Sequence, residues 1–531
     1  MKLTTSPILL ISSLGLCAGI VSGVHLNTAR SPNAQPKRKT SMLIDPPALP
    51  DLPTITAAKA AASAFDLNLT DIQGDILIGM KKKKELFFFF SISNATDFKA
   101  KLKSTILPLV TNTAQLLDVA QQPQTALNIG FSQRGLLALN ITDELNDSAF
   151  SGGQLQDISS LGDPGTTNWV PEFVAGHIHG VILLASDTVD NINSTLSGLQ
   201  SKLGTSITEI YSLQGAARPG SEEGHEHFGY LDGISNPAVE GFQSPLPGQA
   251  VVPTGEILVG ENGDAGIDNR PSWAKDGSFL VFRQLQQLVP EFNKFLTDNP
   301  IRAPALTPKQ GSELLGARMI GRWKSGAPVF LAPLVDNPAL GADPTRNNDF
   351  TYGAPGQTTG KANATDQSKC PFSAHIRKTR PRADLGLPES SSSNHHIVRG
   401  GIPYGPEVTG NEATSNTTNI ERGLAFGSNT NLSLFKHRML MLHDLVCYQS
   451  SIAAGFQFLQ QKWADNTKFI HAGVGFDPII GAAQGAQRAV TGLDLTNPSR
   501  SITLTTDFVV SRGGEYFFSP SLSAIANTLS V

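Results

Sequence analysis

The segment Leu86-Phe87-Phe88-Phe89-Phe90-Ser91-Ile92 is apolar at both parities. A strand with one face in water alternates apolar and polar side chains, so an unbroken run predicts a strand covered on both faces. A similar run, Phe279-Leu280-Val281-Phe282-Arg283-Gln284-Leu285, occurs later. Gly255 to Gly260 stands ahead of it with the pattern that Gly74 to Gly79 has ahead of the first. A strand-turn-strand unit used twice predicts two related α+β halves, although six matching positions are few enough to arise by chance. The boundary falls in the Pro/Gly segment Gln243 to Gly248.

Between these anchors, residues 97–120 fit a helix, His177 to Leu184 a strand and Val189 to Leu203 an amphipathic helix. Residues 286–323 look helical, 336–370 look like loop, and Phe508 to Phe518 reads as a closing strand. The lysines Lys81 to Lys84 read as a solvated loop.

The chain has 531 residues, 40% hydrophobic and 16% charged, which supplies an ample core and more than one domain. A formal net charge of -4 gives no basic surplus for nucleic acid, and no long apolar span beyond the N-terminus argues for a membrane protein. Lys2, the apolar stretch Ile8 to Ile20 and the small residues to Gly23 make residues 1–23 a secretory signal. Residues 24–65, rich in Pro, Ala, Ser and Thr, read as a prosegment or flexible leader; Lys37-Arg38-Lys39 is a processing site or a solvated basic cluster. Eight Asn-x-Ser/Thr sequons, at Asn68, Asn94, Asn140, Asn146, Asn193, Asn363, Asn416 and Asn431, fit an extracellular glycoprotein. Cys17 leaves with the signal, so Cys370 and Cys447 allow at most one disulfide.

Two stretches carry chemistry. In Phe228-Gly229-Tyr230-Leu231-Asp232-Gly233-Ile234-Ser235, one carboxylate stands between glycines in an apolar segment. Such a carboxylate can take a proton from a bound reactant and return it, or Asp-Gly is simply a turn. In Cys370 to Arg382, His375 is accompanied by Arg377, Lys378, Arg380 and Arg382. A histidine can ligate haem iron, and arginines can pair with its propionates.

Together the stretches resemble the dye-decolourising peroxidase family, whose hallmark Gly-x-x-Asp-Gly stands here as Gly229-Tyr230-Leu231-Asp232-Gly233. The resemblance runs from about Asp71 to Ser521 and is closest to the secreted fungal branch. It implies an α+β fold of two ferredoxin-like halves with antiparallel β-sheets, residues 66–243 and a haem-binding 244–531. It implies a haem peroxidase with one haem b per chain, using hydrogen peroxide to oxidise bulky aromatic and phenolic compounds, dyes included, by one-electron steps through a high-valent iron-oxo haem. His375 is then the proximal ligand, with Asp477 as the carboxylate that fixes its tautomer, or as an ordinary Asp-Pro turn. Asp232 is the distal acid–base, and Arg399 stabilises charge as the O–O bond breaks. The family often has Arg-Arg-Gly where this chain has Arg399-Gly400-Gly401; the following Ile402-Pro403-Tyr404 points to Arg399 as the essential one. Arg377, Arg380 and Arg382 are expected at the haem, and Leu424 and Phe426 at the distal pocket. Trp463 and Tyr404 match the residues that relay electrons from donors too bulky to enter. A carboxylate base must be ionised, and Asp titrates near ~4, so activity is expected at acidic pH.

By the same resemblance, Glu421 to Phe426 should lead straight into Val446 to Ser450. The segment 427–445 between them reads as an unspliced intron that was translated, or as a genuine surface loop. Two rivals remain to the peroxidase. His177-Ile178-His179 and His225-Glu226-His227 have the form of metal-binding pairs. A haem-binding or storage protein would keep His375 without needing Asp232 and Arg399.

Overall fold

Phe87 and Phe89 lie in one hydrophobic cluster and Phe88 and Phe90 in another, so the first run is buried on both faces. The fold is seen in a computed structural model that describes residues 60, 62, 65, 67–80, 82–353, 367–386, 395–425 and 446–531. The signal, nearly all of the leader, Phe426, residues 427–445, Asn363 and Asn431 lie outside the described residues.

The run forms β1 (Lys84–Ile92). With β2 (Thr125–Phe131), β3 (Gly180–Ser186) and β4 (Ile207–Ala216) it makes an antiparallel set in the order β4-β1-β3-β2. The second half contributes β5 (Ser278–Gln287), β6 (Val398–Gly400), β7 (Ile402–Tyr404), β8 (Gly423–Ala425), β9 (Val446–Gln449) and β10 (Val509–Ser519). Taking β6 with β7 and β8 with β9 as single strand tracks, its order repeats that of the first half. Both halves are therefore ferredoxin-like. Their strands nevertheless belong to one ten-stranded sheet, because β4 pairs with β7 at Gly215 and Tyr404 and β2 pairs with β10 at Phe131 and Phe518. The β8–β5 pairing closes the ring. The ring buries a shared interior, where Phe87 and Phe89 meet Phe282 and Phe517. Phe88 and Phe90 instead pack with Ile192, Leu199 and Leu203 of helix α1 (Val189–Leu203). Truncating one such phenylalanine to Ala costs ~3–5 kcal/mol.

β8 and β9 both pair with β5, and on the other side with β7 and β6 respectively. Against β5, Ala425 faces Gln284 and Cys447 faces Val281. Against the other side, Ala425 faces Ile402 and Cys447 faces Arg399.

Several local expectations change. The glycine segments that echo one another open as helical turns, Gly74–Leu77 and Thr254–Ile257, rather than strands. Close packing dictates this at Gly255, where a Cβ would stand 2.2 Å from the backbone of Asp264 and Glu261. The helix expected over 97–120 runs from Ala95 to Leu109 with a π-helical centre, then breaks before the capped turn Thr113–Leu117. The helical region 286–323 is two helices, Val289–Asp298 and α2 (Pro308–Ile320), separated by the Pro300 and Pro304 segment. Lys82 and Lys83 are not a free loop: they pair with Asp187 and Glu223. Cys370 and Cys447 are both buried and free. The six sequon asparagines among the described residues are all exposed.

Candidate active site

Glu226 builds the turn that presents Asp232. Its carboxylate accepts the N–H groups of Phe228 at 2.7 Å and Tyr230 at 2.8 Å, together with the amide of Gln287 on β5. The chain wraps this buried group through Gly229, whose φ of 91° suits a residue without a side chain. Burial pushes the Glu226 carboxyl up to about 7, against the pull of its hydrogen bonds. Asp232 follows at the cavity wall, accepting the Gly233 N–H at 2.7 Å and pairing with the guanidinium of Arg399.

Arg399 is fixed through its backbone. One edge of its strand, β6, pairs with β9 at Cys447. At Asn236 the side-chain amide accepts the Arg399 N–H at 3.2 Å and donates to the Arg399 carbonyl at 2.7 Å. Asn236 lies four residues after Asp232, so one loop carries the carboxylate and grips the arginine that neutralises it.

His375 opens a short helix, α3 (His375–Thr379), and borders the same cavity. Its Nδ1–H donates to Asp477 Oδ2 at 2.8 Å, which leaves the Nε2 lone pair free to bind a metal. The Asp477 turn is real as well: its other oxygen accepts the N–H groups of Ile479 and Ile480. Burial works to raise the Asp477 pKa, but its interaction with His375 and these backbone donors outweigh it and hold the carboxyl below its usual range.

The cavity has a volume of about 610 Å³, and mostly apolar side chains line it. Asp232, Arg399, His375, Leu424, Arg380 and Arg382 all contribute to its wall. Arg322, at the end of α2, joins them. Arg322 and Arg382 both donate to Asn348 Oδ1, at 3.0 and 2.6 Å, and both lie over the Phe350 ring. Among the described residues, the hydrogen bonds of Arg322 go to neutral oxygens, of Gly326, Asn347, Ser235 and Asn348. Burial, and then the charge of Arg382, push Arg322 down to about 9. A buried cation held this way favours an anion at the cavity wall.

The other sites expected from the sequence lie elsewhere. Arg377 is not on the cavity wall: the turn of α3 directs it to a buried ion pair with Asp384 and to the Cys370 carbonyl. Tyr404 is buried, is not part of the cavity lining and donates to Glu421 at 3.1 Å. Trp463, at 5% exposure, packs among Phe458, Phe469 and His395. Phe426 lies outside the described residues.

One histidine of each pair has a structural partner. His179 Nδ1 accepts the Ile92 N–H at 3.0 Å. His227 donates to the Tyr404 carbonyl at 2.9 Å, and burial pushes it down to about 4. Among the described residues, no three His, Cys, Asp or Glu side chains gather to hold a metal ion.

Comparison with known proteins decides the family. The chain is 55% identical over 518 residues to a dye-decolorizing peroxidase of Mycetinis scorodonius, covering 94% of this chain and 95% of that one. The chain belongs to the dye-decolourising peroxidase family. A family model described as the DyP dimeric alpha+beta barrel domain matches residues 71–219. A dye-decolorizing peroxidase of Auricularia auricula-judae is 51% identical over 538 residues, 99% of each chain. The crystal structure of a fungal DyP-type peroxidase from the same organism superposes with a TM-score of 0.80 at 53% identity, over 88% of this chain and 99% of that chain. Dye-decolourising peroxidases are haem enzymes, and their α+β fold is the one described above.

Proposed function

We propose that the cavity binds one haem b and that the protein is a secreted peroxidase that uses hydrogen peroxide to oxidise bulky aromatic and phenolic compounds, dyes among them. The observation that carries this reading is that one cavity is bordered by His375, backed by Asp477, and by the Asp232–Arg399 pair. The residues fit the group. An imidazole backed by a carboxylate suits the iron, and the Arg322–Arg382 end suits two propionates. Arg380 and Arg399 stand on the same wall.

When bound, haem supplies the iron that accepts peroxide and the oxidising power that reducing substrates discharge. His375 would hold the iron through Nε2, with Asp477 fixing the Nδ1–H tautomer and making the ligand a stronger donor. Asp232 takes a proton from one peroxide oxygen and delivers it to the departing one. Arg399, paired with Asp232, stabilises the negative charge that develops on the departing oxygen. Leu424 narrows the entrance. Trp463 and Tyr404 pass electrons inwards from donors too large to enter. An exposed set of sequons and the N-terminal leader support export from the cell.

A haem titration tests the cofactor. The protein should bind one equivalent with a Soret band, and His375→Ala should lose the ligand-field features of axial histidine. Binding of the same species with the same spectrum by His375→Ala would refute the ligand assignment.

A further inference from the structure

A train of rings leads outwards from the cavity wall. His395 borders the cavity and stacks on Phe458 at 3.5 Å. Both meet the edge or face of Trp463, at 5.8 and 5.6 Å between ring centres. Phe469 lies parallel to Trp463, at 5.1 Å and 7°. Trp463 keeps 5% of its surface in solvent, whereas Phe469 is half-buried, so Phe469 is the more exposed partner of the stack.

The covering loop is held in place. The buried Lys378, on the helix that begins with His375, donates to the carbonyls of Trp463 at 3.1 Å and Asn466 at 2.8 Å. The Phe469 N–H returns to Asn466, and the Gly475 N–H ties down Thr467. Lys462 and Lys468, each adjacent in sequence to one of the two stacked rings, are exposed, so an aromatic anion suits this surface in both shape and charge.

We propose that Phe469 is a specificity-determining residue for bulky anionic aromatic donors: it covers Trp463 and sets how closely such a donor approaches it. This rests on Trp463 acting as a relay. The donor loses one electron and Trp463, already oxidised during peroxide turnover, gains one. Tryptophan is readily oxidised and phenylalanine is not, so Phe469 acts as a spacer. A small phenol that reaches the cavity mouth bypasses it.

The test compares Phe469→Ala, Phe469→Tyr and Trp463→Ser in the haem-loaded protein, with a sulfonated anthraquinone dye and with 2,6-dimethoxyphenol. Phe469→Ala should raise kcat/KM for the dye on the order of tenfold, with little change for the phenol. Phe469→Tyr preserves the packing and places an oxidisable ring outermost, so it should act in the same direction. Trp463→Ser should abolish most dye oxidation. Acrylamide quenching of tryptophan fluorescence in the haem-free proteins gives a readout without turnover: Phe469→Ala should enlarge the quenchable fraction. Unchanged quenching, or a dye rate that stays level or falls in Phe469→Ala, overturns the covering role. Intact dye oxidation in Trp463→Ser overturns the relay and this inference with it. Loss of dye oxidation in Trp463→Ser alongside an unresponsive Phe469→Ala overturns the inference alone.

Discussion

Ala425 and Cys447 occupy positions three apart on one strand track, although they stand far apart in the sequence. Their partners on β5, Gln284 and Val281, are three apart, and so are their partners Ile402 and Arg399 on the other side. Both neighbours therefore agree on how much chain is in excess between β8 and β9. That excess equals the length of the segment 427–445. A strand flips its faces with each single-residue slip, so only removal of the right number joins the halves in register. Deleting 427–445 should give a folded protein that binds haem and melts at a higher temperature than the full chain. Deleting 427–444 instead, one position short, should misalign Cys447 against Val281 and Arg399 and yield insoluble protein. Equal solubility and haem content for the two deletions, measured side by side, would refute the continuous strand.

Asn236 links the two members of the distal pair through the Arg399 backbone. Each neutral hydrogen bond contributes ~0.5–1.5 kcal/mol, so losing both loosens Arg399 by enough to slow the peroxide reaction on the order of tenfold. Asn236→Ala should reduce the bimolecular rate with hydrogen peroxide while leaving the Soret band and the rate of phenol oxidation in place. A purely structural role would instead lower the melting temperature and both rates together.

Much of this geometry could be read from the residues in advance, and some could not. Phe87 to Phe90 announced a doubly covered strand because burial at both parities has no other simple reading. Asp232, His375 and Arg399 were legible because family motifs mark them. Arg377 looked equivalent to Arg380 and Arg382, but α3 turns it to Asp384, and only the helix geometry separates them. Asn236, Arg322 and Glu226 were missed as site residues. Their roles arise from partners 163, 26 and 61 positions away, in Arg399, Asn348 and Gln287, which local pattern does not encode. The Asn236-Pro237 step that ends the Asp232 loop was the one available signal.

Asp477 should tune the iron through His375. Asp477→Asn retains the turn but removes the ionised acceptor, so His375 becomes a weaker donor. Haem affinity or peroxidase rate should fall ~10–100-fold, and the iron's reduction potential, read by spectroelectrochemistry, should rise. An unchanged potential would place Asp477 in the turn alone.

Stability should be greatest in mildly acidic solution. Burial pushes Glu226 and Asp465 up to about 7, and burial together with neighbouring Glu261 raises Asp276. In the unfolded chain such groups titrate near ~4, so between these values the native state holds protons that the unfolded state does not, and stability falls as pH rises through that window. In the other direction, Glu412 is held low by Arg422, and Asp477 is held low by His375 against burial. Their contribution disappears as pH drops below about 4. Calorimetry should find the highest Tm at about pH 4–5, declining towards pH 8. A Tm that climbs steadily to pH 8 would show that these carboxyls do not hold their protons.

The most direct measurement of the account is stopped-flow absorption of the haem-loaded protein mixed with hydrogen peroxide, for the parent and for Asp232→Asn. The parent should show a Soret band that shifts and loses intensity within the mixing series. Asp232→Asn should keep the resting Soret band and react ~10²–10⁴-fold more slowly, the range for loss of a positioned acid–base group. Equal rates for the two proteins would remove Asp232 from the proton transfer and contradict the mechanism.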